Sequence, residues 1–403
     1  MNFHRRLCAA ILACAFSSAT LATAQDGDPQ DVADGPWISA VAWQDGEHLL
    51  GTRSAGLLFR PAQVVRAAAS DLQTLEVVGE AETSLWAVQP VEGGGAVASD
   101  YRGGVHLFQD GAVQPLQVEA RWIRTLQAAP QAGEVLAGTE DGKLLVLSLA
   151  DAKETKRIDA HQAAIFDIAV SDAGDKIATA AGDGTVKIFS WPQLEALGEM
   201  SVGKEAVWSV LFVNNDRQLV SGGADRGVQL WDVASARPLL SLATAPNWIT
   251  TLVALPESDL VVAGCMDGSV LVVDWRTMHE VAGAMGPGSA IWSMALAPDG
   301  RRLALGTRKH GLAILDCSPW PAVAREAAAE FAAIRPPAPP RRTASACTAS
   351  CKEATAQEQA AEEAVAAEPE VIRPPSPKRR AAQEPAAGES ETVRPPSPKR
   401  RRA

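Results

Sequence analysis

The chain has 403 residues, 47% of them hydrophobic and 21% charged, enough for one large domain with extensions and a sizeable core. Its net charge of −11 is unevenly placed: residues 318–403 hold 14 Lys/Arg against 11 Asp/Glu, so the part before them carries −14, or −16 once Arg5 and Arg6 are set aside. So acidic a body argues against a direct grip on nucleic acid or an anionic membrane, because the phosphate term that dominates such binding is repulsive.

Residues 1–24 read as a secretory signal peptide, with Arg5 and Arg6 as the basic region, Leu7 to Phe16 as the apolar region and Ala22-Thr23-Ala24 as the cleavage site before Gln25. The apolar run is shorter than the roughly 20 residues a membrane span needs, and no later segment is long enough. A lipoprotein reading through Cys14 leaves a still shorter apolar run. Export then leaves Cys265, Cys317, Cys347 and Cys351 where pairing is allowed but not required, and their connectivity stays open.

From residue 37 onward a unit repeats seven times: an aliphatic–aromatic pair, a strand, a glycine turn and a second strand. The pairs are Trp37-Ile38, Leu85-Trp86, Trp122-Ile123, Ile165-Phe166, Val207-Trp208, Trp248-Ile249 and Ile291-Trp292. Each opens a period-2 stretch such as AVWSVLFV, the pattern of a half-buried strand. Turn glycines at 56, 104, 142, 184, 227, 268 and 311 follow, with steps of 38 to 48 residues, the period of a four-stranded propeller blade.

The segments DKIATAAGDGTVKIFSW, RQLVSGGADRGVQLWDV and DLVVAGCMDGSVLVVDW resemble the strand–turn–strand of the WD-repeat family, with Trp231-Asp232 the literal match to its signature. The resemblance implies an all-β, seven-bladed β-propeller over residues 25–317, followed by a short helix at 318–334 and a disordered C-terminal tail at 335–403. It also implies a hydrogen-bonded set inside a blade, for which blade four offers His161, Thr179 and Asp183 with Phe189 at the Trp place, and blade five Ser221, Asp225 and Trp231. Blade seven lacks its outer strand, which in this family the N-terminal segment supplies, here between Gln25 and Gly35.

Family geometry puts the start of each innermost strand and the turn between its second and third strands on one face. Strict alternation then sends Ile38, Trp86, Ile123, Phe166, Trp208, Ile249 and Trp292 to the rim, and Trp37, Leu85, Trp122, Ile165, Val207, Trp248 and Ile291 between blades. Trp86, Phe166, Trp208 and Trp292 become the candidate partner-binding residues, with Arg124, Arg102 and Arg308 beside them and Arg53, Glu140, Arg226, Lys309 and His310 in the same turns. The histidines show no metal-ligand spacing and no nucleophile elbow or P-loop occurs, so no cofactor and no catalysis is expected.

The tail repeats one phrase: IRPPAPPRR at 334–342, VIRPPSPKRR at 371–380 and VRPPSPKRRR at 393–402. Polyproline II suits the Arg-Pro-Pro runs, and Lys378, Arg379, Arg380, Lys399, Arg400 and Arg401 suit a polyanion or an acidic protein face. The sequence thus points to a non-enzymatic, exported bacterial scaffold binding an unidentified protein or peptide. A lactonase-type propeller hydrolase using the central funnel, and a chromatin-type adaptor with an uncleaved N-terminus, are the alternatives.

Overall fold

The computed structural model describes residues 37–54, 60–242, 245–286 and 288–326. The signal segment, the closing strand expected at 25–35, the first turn glycine Gly56, the helix beyond 326, Cys347, Cys351 and the basic repeats all lie outside the described residues.

Alternating sequence broken by turn residues folds into antiparallel hairpins, and the described residues form seven antiparallel sheets. Blade one is β1 (Trp37–Trp43), β2 (His48–Ser54), β3 (Ala62–Ala68) and β4 (Asp71–Ala81). Blade two is β5 (Leu85–Pro90), β6 (Ala96–Asp100), β7 (Val105–Gln109) and β8 (Ala112–Pro115). Blade three is β9 (Ile123–Ala128), β10 (Glu134–Thr139), β11 (Lys143–Ser148) and β12 (Lys153–Asp159). Blade four is β13 (Ile165–Val170), β14 (Lys176–Ala181), β15 (Thr185–Ser190) and β16 (Ala196–Ser201). Blade five is β17 (Val207–Val213), β18 (Gln218–Gly223), β19 (Val228–Asp232) and β20 (Arg237–Leu242). Blade six is β21 (Ile249–Ala254), β22 (Leu260–Cys265), β23 (Ser269–Asp274) and β24 (His279–Met285). Blade seven is β25 (Ile291–Leu296), β26 (Arg302–Thr307) and β27 (Leu312–Asp316). The seven-bladed, all-β propeller expected from the repeat is therefore the fold.

The first strand of each blade is innermost and meets the first strand of the next, from β1 round to β25 and back to β1. The hydrophobic core is divided into seven layers, each shared by two adjacent blades, so no blade has a core of its own. Stability therefore depends on the ring being complete. The closing layer joins Ile38, Val41 and Trp43 to Ala297 and Ala304. There the Val41 backbone N–H donates to Ser293 Oγ at 3.1 Å, and Trp43 Nε1 donates to the Ala295 carbonyl at 2.9 Å.

Gly142 shows why the turns need glycine: its φ is 81°, and a Cβ there would stand 2.2 Å from the His161 carbonyl oxygen. In blade five the left-handed place falls to Arg226, with φ 62°, rather than to Gly227.

Blade seven has three strands among the described residues, and the outer one shows it. Leu312, Ala313, Ile314 and Leu315 of β27 are only half-buried, whereas the equivalent β23 is buried along its apolar length. Beyond β27 a helical turn at residues 320–326 seats Trp320 against Leu255, Val262 and Cys317. Cys265 and Cys317 are both buried and free.

Candidate functional site

Packing fixes the start of every innermost strand. One aliphatic per blade (Ile38, Leu85, Ile123, Ile165, Val207, Ile249 or Ile291) is at most 1% exposed. It lies against the second strand of the blade before it, where a glycine often makes room: Gly138 faces Ile165, Gly222 faces Ile249 and Gly264 faces Ile291.

Directly after this aliphatic, the ladder of every blade slips by one residue. Such a bulge sets two residues against one and re-aims the extra side chain. The bulged residues are Ser39, Trp86, Arg124, Phe166, Trp208, Thr250 and Trp292. Where the bulge carries an aromatic ring, the residue before the aliphatic is small: Ser84, Ala164, Ala206 or Ala290. Where the bulge carries Ser39, Arg124 or Thr250, the residue before is tryptophan: Trp37, Trp122 or Trp248. Each blade thus delivers one aromatic ring to the same end of the propeller, from one of two flanks.

This corrects the alternation reading at three blades. Ile38, Ile123 and Ile249 are core residues and not rim residues, while Trp37, Trp122 and Trp248 belong with the other rings; Trp248 is 45% exposed. Strict alternation fails because the buried aliphatic, and not the aromatic, sets the register, and the bulge then lets either flank turn toward the channel mouth.

The rings form one cluster. Trp37 meets Trp86 edge-on at 5.5 Å, Trp86 lies 4.9 Å from Trp122, and Phe166 stacks on Trp208 at 4.7 Å with planes 3° apart. Trp208 reaches Trp248 at 6.3 Å. Trp292 of blade seven also touches Trp86 of blade two at 6.3 Å and Trp208 of blade five at 6.2 Å. Rings from non-adjacent blades can meet only over the central axis, so the cluster caps one end of the channel. The indole nitrogens of Trp37, Trp86, Trp122, Trp208 and Trp292 are buried without a hydrogen-bond acceptor. Edge-to-face pairs offer such ring edges a π face instead.

Arg124 lies within this cap, its guanidinium carbon 3.4 Å from the Trp122 ring centre and 5.2 Å from that of Phe166, while Nε donates to Glu140 Oε2 at 2.5 Å. Cation–π attraction and an ion pair hold it in place. The turns between second and third strands sit at the same end: the backbone N–H of Glu140 donates to the Trp122 carbonyl, that of Met266 to Trp248 and that of Arg308 to Ala290. Trp86, Arg124, Phe166, Trp208 and Trp292 are thus brought together by the fold. Arg102 and Arg308 stand exposed on their turns and do not line the cavity beneath the cap. Arg53, Arg226, Lys309 and His310 are likewise exposed. That cavity, about 410 Å³, runs along the innermost strands to Asp172 and Phe212.

Within blade four His161 Nε2 is 2.8 Å from Thr179 Oγ1 and Nδ1 is 3.0 Å from Asp183 Oδ2, with Phe189 buried at the Trp place. Burial holds the imidazole below its ordinary pKa, against the pull of Asp183. In blade five Trp231 Nε1 donates to Ser221 Oγ at 2.9 Å. The family described as "WD domain, G-beta repeat" matches residues 152–190 and 197–232, which hold these two sets. The chain is a seven-bladed propeller that carries WD repeats in its fourth and fifth blades.

Curated relatives include telomerase protein component 1 of Mus musculus, 26% identical over 35% of this chain and 5% of that protein. WD repeat-containing protein 90 of Homo sapiens is 23% identical over 45% of this chain and 11% of its own length. THO complex subunit 3 of Arabidopsis thaliana is 23% identical over 41% and 53%. The chain therefore spans only a small part of the first two. In this propeller no group of three His, Cys, Asp or Glu is placed to hold a metal ion among the described residues. The aromatic contributions of Trp122 and Trp248 were readable from the 42-residue step of the aliphatics at 123, 165, 207, 249 and 291, had these been taken as the fixed positions.

Proposed function

We propose that the chain is a non-enzymatic scaffold, exported to the periplasm or beyond, that binds a protein or peptide on its aromatic-capped end. The observation that carries this reading is the supply of one aromatic ring per blade to a single end of the ring, with Trp248 left 45% exposed. Tryptophan, tyrosine and arginine are enriched at binding hot spots, the two aromatics because they bury much area at little entropic cost. Here Trp248, Tyr101 with its ring tilted 57° at 4.3 Å from that of Trp122, and Arg124 share the face. The WD-repeat relatives support a role in protein interaction. Export rests on the first 24 residues alone.

Capture from the native periplasm with the intact protein and with Trp248→Ala tests both parts. A partner retained by the first and lost by the second is expected, with the captured protein beginning near Gln25. An unchanged set of captured proteins would remove the face from consideration, and recovery of Met1 would remove export.

A further inference from the structure

Beneath the cap the channel wall carries Asp167, whose strand β13 lies between those of blades three and five. Its Oδ2 accepts from Ser209 Oγ at 2.7 Å and from the Val210 backbone N–H at 3.0 Å, while Oδ1 accepts only from the Ile168 N–H at 2.9 Å. No cation among the described residues pairs with it. Burial accordingly pushes its carboxyl above the usual carboxylate range.

Three charged side chains line the cavity. Arg124 is neutralised by Glu140, which leaves Asp167 inside and Asp172, exposed, at the far end. The ceiling consists of Trp86, Phe166, Trp208 and Trp292. A nearby cation favours the charged form of a half-buried carboxyl that has no counterion, and aromatic faces attract cations without supplying a competing charge. Arg124 already shows this cap receiving a cation on its π faces. At about 410 Å³ the space lies within the roughly 300–1,000 Å³ of small-molecule sites.

We infer that the channel is a binding site for a small alkylammonium ion, held between Asp167 and the aromatic ceiling and entering from the end marked by Asp172. The site lies beneath the proposed partner-binding face and shares Arg124 and the aromatic cap with it; tetramethylammonium binding reads the one and capture through Trp248 the other, so either can fail without the other.

Tetramethylammonium chloride is the probe, tert-butanol its neutral counterpart, and sodium chloride at equal ionic strength the blank, read through tryptophan fluorescence of the full chain. The expected result is a saturable change with tetramethylammonium alone, weakened about tenfold or more in Asp167→Asn. A linear response, equal binding of tert-butanol, or unchanged affinity in Asp167→Asn would each overturn the site. The comparison of charged and neutral probes in the unaltered protein decides the matter even if the variant does not fold.

Discussion

A Cβ added at Gly306 in blade seven would stand 3.1 Å from Cγ2 of Ile38 and 3.0 Å from its carbonyl oxygen in blade one. The ring is thus sealed by the same glycine-against-aliphatic contact that joins Gly264 to Ile291. Gly306→Val overpacks this seam and is expected to cost about 1–3 kcal/mol. Gly46→Ala, with nothing within 4 Å, is expected to stay within about 0.5 kcal/mol. Urea midpoints of the two variants and the parent check the difference.

The cap makes a second expectation. Trp292 packs on both Trp86 and Trp208 across the axis, so each change to Ala should cost about 3–5 kcal/mol. Trp248, 45% exposed and in contact with Trp208 at the edge of the cluster, should cost about 1 kcal/mol or less. Melting curves of the four variants sort them; equal losses would show that the exposed ring is as deeply embedded as the rest.

Acid should loosen blade four. His161 is held neutral by burial, so its folded pKa lies below the ordinary 6.5. As pH falls past 6.5 the unfolded chain takes up the proton first, and the stability present above that value is progressively lost. His161→Asn should flatten the dependence of the urea midpoint on pH between about 7 and 5. It should also cost about 1–3 kcal/mol at pH 7 by leaving Thr179 and Asp183 poorly paired. A slope unchanged by the substitution would place the acid sensitivity elsewhere.

The thiols give a kinetic check on the same interior. Burial pushes Cys317 up to about 12 and raises Cys265 as well. Neither should react with a water-soluble disulfide reagent at pH 8 while the protein is folded, and both should react in denaturant. Rapid labelling of the native chain would mean that blades six and seven open readily.

The blade count, the strand order, the set around His161 and the Ser221–Trp231 pair were legible because period, turn glycines and motif residues are all local signals, whereas Asp225, expected in the second set, accepts from Gly227 and Gln229 instead. The location of Trp86, Phe166, Trp208, Trp292 and Arg124 at one end was legible as well. What strict alternation missed was the role of Trp37, Trp122 and Trp248. An aromatic–aliphatic pair looks alike in either order, and the 42-residue step marks the anchor only when the aliphatics from 123 to 291, and not the rings, are taken as the fixed positions, as packing against Gly138 and Gly222 shows. The bulge itself leaves no mark in the residues, since Ser39, Arg124, Thr250 and Trp208 all occupy it. Asp167 gave no signal either, because its isolation arises from strands of other blades.

The two flanks from which rings are supplied follow no regular sequence around the propeller: blades one, three and six use the residue before the aliphatic, and blades two, four, five and seven the residue after it. Seven near-equal blades would otherwise present the same face at every step of rotation. With this pattern no turn of the ring about its axis maps the capped end onto itself. A partner settling there would find a single azimuth at which its contacts match, so such a face would fix its orientation as well as its place.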